Sequence, residues 1–323
     1  MLRMPEFQFH AASTAEEAVA LYHAHENVQY VAGGTDLLPN VKHRIVRPTH
    51  LVGLQNLPKP EPRTTEEAIH VSAQMTLTEL AEHGEIQRLL PPLAKAASLV
   101  AGPQIRNMGT LGGNVMLDTR CLFYNQTEFW RDALGYCLKA DGTWCHVIGS
   151  PKTCVAVQSS DTVPVLMALD ASLIFLTPNG THELPIRDLF QMNGMDHLKI
   201  SPGDLLTEIK IPHPKPGFRG DYQKLRVRDA IDFPLISVAI AGIWNDDTPS
   251  ELCIVVGAGG PRPKPVRGLD PFLNQPMTEQ QARGVSALVT KQTRPQPALS
   301  MDPAWRRHMA GVFTRRMLTA LSL

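Results

Sequence analysis

VAGGTDLLPNVK (31–42) follows the apolar run NVQY (27–30), so a strand leads straight into a Gly-Gly turn. Gly33 and Gly34 permit positive φ and carry no Cβ, which lets a ligand approach the main chain. Successive main-chain N–H groups in such a turn form a concavity suited to phosphate oxygens. Thr35 adds a hydroxyl and Lys42 a charge. A Gly-Gly pair between apolar segments is commonly no more than a turn, and the dinucleotide fingerprint G-x-G-x-x-G is absent here. Its weight comes from a second stretch, NMGTLGGNV (107–115), where Gly109, Gly112 and Gly113 surround Thr110 and Asn114. Those two side chains can hydrogen-bond a polar ligand while the glycines let the backbone close on it.

Outward from these turns, STAEEAVALYHAH (13–25) opens with Ser13 and has Glu16 three residues later, a capping-box pattern ahead of an amphipathic helix. NVQYVAGG (27–34), HLVGL (50–54) and AIHVSA (68–73) read as strands. TLTELAEH and EIQRLLPPLAKAASLV read as helices with apolar residues at helical spacing. The alternation predicts an N-terminal α/β domain with several βα units. SDTVPVLMALD (160–170) reads as a further helix and ASLIFLT (171–177) as a strand. After GDLLTEIKIP (203–212), the Pro- and Gly-rich HPKPGFRG marks a boundary, so domains are expected over 1–216 and 217–323. YQKLRVR, LISVAIAGIW and ELCIVVGA then read as three successive strands, with helices near 278–288 and 303–321. Strands followed by helices predict an α+β domain on an antiparallel sheet.

The 323 residues carry 31 Lys plus Arg and 31 Asp plus Glu, a balance that argues against nucleic acid or a polybasic membrane surface as partner. The longest mostly apolar run, Leu235–Trp244, is far short of the roughly 20 residues of a membrane span. MLRMPEFQFH has no apolar stretch long enough for a signal peptide. A soluble, cytoplasmic chain is expected.

Cys121, Cys137, Cys145 and Cys154 fall close together with the spacing C-x15-C-x7-C-x8-C, while Cys253 stands alone in the apolar run ELCIVVGAGG and reads as a buried core thiol. This is no disulfide framework. Four thiolates suit a tetrahedral zinc site or an iron–sulfur cluster. The paired C-x2–4-C of zinc knuckles is absent, and ligands from scattered loop positions suit the bulkier cubane. Phe123, Tyr124, Phe129, Trp130, Tyr136 and Trp144 share the stretch and would limit solvent access to a cluster. Zinc and unligated thiols are the alternatives. His146, beside Cys145, reads as a polar loop residue. With neither H-E-x-x-H nor G-x-S-x-G present, no catalytic residue is expected in this chain.

GGTDLLPNVK, TLGGN and SDTVP (160–164), in that order and with YQKLRVRDAIDFP (222–234), resemble the FAD-binding medium subunits of the xanthine oxidase family of molybdenum hydroxylases. The resemblance covers essentially the whole chain. It implies an N-terminal FAD-binding domain of two α/β subdomains, similar to the vanillyl-alcohol-oxidase type. It also implies a smaller C-terminal flavoprotein domain with a three-stranded antiparallel sheet and helices. Carried onto this sequence, Ala32, Gly33, Gly34, Thr35, Asp36, Leu37 and Leu38 would wrap the FAD pyrophosphate. Thr110, Gly113 and Asn114 would contact the pyrophosphate and ribityl region. Asp161 would hydrogen-bond the ribityl chain, Lys224 would lie near the flavin ring, and Leu206 would pack near the adenine. From the residues alone, Asp161 also suits a helix N-terminus and Lys224 a solvated strand position.

In that family the asparagine of TLGGN is soon followed by Ser-Asp-x-x-Pro, whereas here residues 115–159 intervene and hold all four clustered cysteines. Within the family, a flavin subunit with such an insertion resembles the β subunits of the 4-hydroxybenzoyl-CoA reductases. That implies a 4Fe-4S cluster on Cys121, Cys137, Cys145 and Cys154. It implies partner subunits bearing a molybdenum cofactor and two 2Fe-2S clusters, assembled as a dimer of heterotrimers. It further implies electrons arriving from reduced ferredoxin and leaving through FAD, for removal of the ring hydroxyl of 4-hydroxybenzoyl-CoA on a partner subunit. The alternatives are the flavin subunit of an aldehyde, carbon monoxide or purine dehydrogenase, and a non-catalytic assembly protein with a zinc-stapled loop.

Overall fold

A computed structural model describes residues 2–323. Strands β1 (Gln8–Ala11), β2 (Val28–Val31) and β3 (His50–Gly53) form a parallel sheet in the order β1-β3-β2. Parallel neighbours need crossovers, which helices α1 (Ala15–Ala24) and α2 (Leu37–Lys42) supply. The helix cap lies one residue later than the sequence predicts, and the reciprocal bond goes to the residue before the cap, so the predicted capping box is not closed. Thr14 Oγ1 accepts from the Glu17 N–H at 3.1 Å, and Glu17 Oε2 accepts from the Ser13 N–H at 2.7 Å. Ser13/Glu16 and Thr14/Glu17 satisfy the same spacing, and the register adopted buries Ala18 and Val19.

The second subdomain departs from the expected βα units. Strands β4 (Arg63–Thr64), β5 (Ala68–Ser72), β6 (Ser172–Thr177), β7 (Gly180–Pro185) and β8 (Leu205–Pro212) pair in the order β4-β5-β8-β6-β7, every pair antiparallel. The helices between β5 and β6 do not cross between adjacent parallel strands. They are α3 (Leu77–Glu82), α4 (Gly84–Leu89), α5 (Pro91–Ser98), α6 (Pro103–Arg106), α7 (Leu111–Val115), α8 (Glu128–Ala133) and α9 (Thr162–Ala168). Most of them share one core with the sheet, around Ile69, Leu80, Leu93, Leu111, Leu166 and Phe175. Helix α10 (Ile186–Leu189) follows β7. The run read as one helix breaks at Leu90, whose φ of −130° and ψ of 53° obey the restriction that Pro91 places on the residue before it.

In the C-terminal domain, the three expected strands are β9 (Phe218–Leu225), β10 (Ile236–Asn245) and β11 (Thr248–Gly257). The two-residue β12 (Lys264–Pro265) joins them as a fourth, in the antiparallel order β12-β11-β10-β9. Strand β9 starts at Phe218, inside the stretch read as linker. Successive strand side chains point to opposite faces. Val238 and Ile240 accordingly pack towards helices α11 (Glu279–Gln292) and α12 (Pro303–Leu321), whereas Ala239 and Ala241 face the core of the N-terminal domain. Burial on both faces explains why LISVAIAGIW is almost uninterruptedly apolar. The face of β9 that carries Tyr222 and Lys224 is thereby pressed against the N-terminal domain, opposite Ala239 and Ser237 of β10.

Residues 115–159 form a compact excursion. It is closed at its base by reciprocal bonds from Arg120 N–H to Val157 O (2.8 Å) and from Val157 N–H to Arg120 O (2.7 Å). Cys121, Tyr124, Cys137 and Cys154 make a small core of its own with Ala258 and Ala298 of the C-terminal domain. Among the described residues, no helix is long and apolar enough to cross a membrane.

Candidate functional site

The two glycine turns, about 75 positions apart in the chain, interlock. A Cβ on Gly33 would sit inside the Met108 carbonyl group, and one on Gly109 would lie 3.4 Å from Thr35 Oγ1. Gly34 has φ of +69°, with Leu38 Cδ1 only 2.9 Å from where its Cβ would be. The N–H groups of Gly33, Gly34, Thr35 and Asp36 meet no acceptor among the described residues. The turn from Ala32 to Leu38 is half-exposed. Four unpaired donors on a turn with no room for a Cβ are the donor set that a pyrophosphate needs. Asp36 is neutralised within the protein: its carboxylate pairs with Arg120, whose guanidinium lies 4.0 Å over the Phe233 ring, and accepts from Asn40 Nδ2 at 3.0 Å.

The second turn is built more tightly than its sequence implies. Thr110 Oγ1 caps α7 by accepting from the Gly113 N–H at 3.0 Å. Asn114 Oδ1 accepts from Ser160 Oγ at 2.6 Å and from Thr162 Oγ1 at 2.7 Å, which ties α7 to the start of α9. The Asn114 amide N–H groups therefore remain as its donors to a ligand. Gly113 is exposed at the lip of the turn. Leu206, on β8 opposite Phe175, is buried in the main core along with Ala73 and Leu111. It lies within that core rather than at the turn surface.

Asp161 and Lys224, read separately from the sequence, meet. Lys224 Nζ donates to Asp161 Oδ2 at 2.9 Å, and the Tyr222 hydroxyl donates to Asp161 Oδ1 at 2.6 Å. Lys224 also donates to the carbonyls of Leu99 and Asp232, each at 3.0 Å, and its side chain is fully buried. The lysine is thus no solvated strand residue. Asp161 begins α9, but its carboxylate makes no bond to the helix end. Burial pushes the Asp161 carboxyl up, and Lys224 and the Tyr222 hydroxyl oppose that shift. Burial and the adjacent carboxylate raise Tyr222 well above the ordinary phenol range.

The four clustered cysteines line one small pocket together with Lys139 and His146. Among the described residues, the sulfurs form no group of three lying mutually within 4.8 Å. A tetrahedral zinc with Zn–S of about 2.3 Å would hold its thiolates about 3.8 Å apart, closer than any three of these sulfurs mutually lie. Burial pushes the Cys121 thiol up to about 11 and raises that of Cys154. A bound cationic centre supplies the positive charge that would hold them as thiolates. Lys139 Nζ is anchored to Asp118 (2.6 Å), Thr119 Oγ1 (2.5 Å) and Gly194 O (2.8 Å), and lies 4.7 Å from the Tyr124 ring centre. His146 spends one ring nitrogen on Tyr136 O at 2.8 Å. Cys253 is only part-buried, on the edge of the main core.

Arg131 docks the insertion on the N-terminal domain. It donates to the carbonyls of His43 (3.0 Å) and Arg44 (2.9 Å), just beyond α2, and to Glu128 at 2.8 Å. Arg131→Met removes these charge-assisted bonds and strands two carbonyls. The expected loss is about 2–3 kcal/mol, seen as faster proteolytic cleavage within 115–159. Tyr222, Arg120, Arg131 and Lys139 were not marked as site residues from the sequence. Tyr222 could have been found, since it sits two residues before Lys224 and so shares its strand face. The other three act through partners brought near only by folding.

Interlocked glycine turns with free N–H groups, together with a buried carboxylate–lysine pair whose Asp161 directly follows Ser160, the hydroxyl donor to Asn114, suit a nucleotide ligand. Residues 5–214 match the family described as the FAD binding domain in molybdopterin dehydrogenase, and residues 221–321 match the CO dehydrogenase flavoprotein C-terminal domain. The chain belongs to this family of FAD-binding subunits of molybdenum hydroxylases. It is 30% identical over 246 residues to the aldehyde oxidoreductase FAD-binding subunit PaoB of Escherichia coli K12, covering 73% of this chain and 77% of that one. It is 26% identical to the carbon monoxide dehydrogenase medium chain of Hydrogenophaga pseudoflava, covering 98% and 97%. The fold matches a solved structure of carbon monoxide dehydrogenase from H. pseudoflava with a TM-score of 0.79 at 24% identity, covering 99% and 98% of the two chains.

Proposed function

We propose that this chain binds both FAD and a 4Fe-4S cluster and serves as the electron-transfer subunit of a molybdenum hydroxylase complex. Its partners are a large subunit bearing the molybdenum cofactor and a small subunit bearing 2Fe-2S clusters. The observation that supports the cluster is the convergence of Cys121, Cys137, Cys145 and Cys154 on one pocket, no three of their sulfurs lying mutually within 4.8 Å. FAD exchanges electrons singly or in pairs, and so joins one-electron iron–sulfur carriers to a two-electron reaction.

In this reading the turn Ala32–Leu38 donates main-chain N–H groups to the pyrophosphate. Thr110, Gly113 and Asn114 hold its far side and the start of the ribityl chain. Asp161 accepts one further hydrogen bond from the ribityl group, held in place by Lys224 and the Tyr222 hydroxyl. Leu206 forms part of the apolar bed beneath the adenine. Lys139 offsets the charge of four thiolates, and Tyr124 and Phe123 keep water from them.

The finer reading is the β subunit of a 4-hydroxybenzoyl-CoA reductase, taking electrons from reduced ferredoxin within a dimer of heterotrimers. The cysteine-bearing insertion supports it. A second reading is the flavin subunit of an aldehyde oxidoreductase, supported by the 30% identity to PaoB. Purification of the assembled complex without oxygen, followed by flavin, iron and acid-labile sulfide analysis, tests the cofactor content. We expect one flavin and four iron with four sulfide per chain beyond those of the partner subunits. Cys137→Ser should lose those four irons and keep its flavin. Stoichiometric zinc without sulfide would overturn the cluster. Ferredoxin-dependent loss of hydroxyl from 4-hydroxybenzoyl-CoA supports the first reading; oxidation of an aldehyde with an added acceptor supports the second.

A further inference from the structure

Three histidines far apart in the chain meet at the parallel sheet. His10 lies on β1, His25 ends α1, and His50 opens β3. One ligating nitrogen from each lies within 4.8 Å of the other two, and this is the only such group of metal-ligating side chains among the described residues. His10 Nε2 and His50 Nδ1 are 3.0 Å apart. Two nitrogens on a tetrahedral ion with bonds of 2.0–2.1 Å stand about 3.4 Å apart, so this pair is already near ligand spacing. The rings stack, with centroids 4.3 Å apart for His25 and His50 and 4.7 Å for His10 and His25. Each residue is half-buried, and binding one ion requires the stacked rings to turn until their in-plane lone pairs converge.

The cluster does not include the flavin turn. His50 is level with Val28 at the start of β2, three strand residues or about 10 Å from Val31, which the glycine turn follows. His10, level with Val52, lies one residue short of the level of Val31.

We propose that His10, His25 and His50 form a binding site for a divalent transition-metal ion of the zinc class, separate from the flavin and cysteine sites. Three neutral imidazoles are a ligand set preferred by zinc, copper and nickel over the harder magnesium and calcium. Three protein ligands leave a fourth position for water. A bound ion would clamp the ends of β1, β3 and α1, the elements that carry β2 and its glycine turn.

The test uses the assembled complex, equilibrated with ZnCl2, passed through gel filtration and analysed for zinc by mass spectrometry, beside His25→Ala and His50→Ala. The parent should retain one zinc per chain more than either variant, and the variants should bind it at least about 100-fold more weakly, beyond the loss usual for an outer-shell partner. Zinc should raise the melting temperature of the parent and leave His25→Ala unmoved. His25 lies outside every strand, so that variant should fold and keep its flavin even if His50→Ala does not. Equal zinc in the parent and His25→Ala overturns the proposal, as does a parent that retains none.

Discussion

Gly33→Ala should purify without flavin and be destabilised by about 3 kcal/mol, the upper end of overpacking costs. Its new methyl group would overlap the Met108 carbonyl oxygen and carbon and touch the Gly109 nitrogen. All of these are main-chain atoms, and no rotamer change can move them aside. Relief requires the two glycine turns to part, and their joint surface is what presents the free N–H groups of residues 33–36. Stability and cofactor affinity should therefore fall together. Gly84→Ala is the matched control: nothing lies within 4 Å of the added methyl, so flavin content and melting temperature should hold within the range of surface substitutions, roughly ±0.5 kcal/mol. The measurements are flavin absorbance per chain and denaturant unfolding. A Gly33→Ala protein with one flavin per chain and unchanged stability would show that the turns do not meet as described.

Lys224→Met should cost about 3–5 kcal/mol, because it leaves Asp161 buried with its main counter-charge gone. The pH dependence distinguishes this from simple loss of packing. Burial already pushes the Asp161 carboxyl up, and Lys224 is the strongest opposing influence. Without the lysine, the folded carboxyl should hold its proton to a higher pH than the unfolded one, which titrates near 3.9. A carboxyl whose folded pKa is raised loses stability as pH climbs from the unfolded value through the folded one. The deficit of Lys224→Met relative to the parent should therefore be small near pH 4 and grow towards neutrality. The double variant Asp161→Asn with Lys224→Met should recover much of the loss at pH 7. A deficit independent of pH would remove the ion pair from the account.

The parts of the fold read correctly from the sequence are those whose physics is local. Gly33 and Gly34 mark a turn because only glycine combines positive φ with the absence of Cβ. Apolar runs placed β3, β5, β6 and β10 within a residue or two, started β9 and β11 several residues late, and gave no strand for β1, β4, β7, β8 or β12. LISVAIAGIW was recognisable as a strand, but its burial on both faces needed the second domain. The helix cap missed by one residue because Ser13 and Thr14 offer the same hydroxyl at the same spacing. The antiparallel pairing of β5, β8 and β6 was not legible, since it depends on which of several compatible neighbours each strand finds across more than a hundred residues.

Among the site residues, Asp161 and Lys224 could be named one at a time. Their ion pair could not be read, nor the Tyr222 hydroxyl that completes it, because 61 and 63 positions separate the partners. The four cysteines showed a ligand type, but only folding brings Cys121 and Cys154 to the same cavity. His10, His25 and His50 carried no signal at all, as their spacing fits no motif.

Residue chemistry and near-neighbour pattern were enough to mark two glycine turns, most of the helices and a group of four clustered cysteines, because each depends on conformations within a few residues. Register and domain docking settled which of those groups face one another. Their energies come from burial and from distances of about 3 Å, and neither is a property of a stretch of chain taken alone.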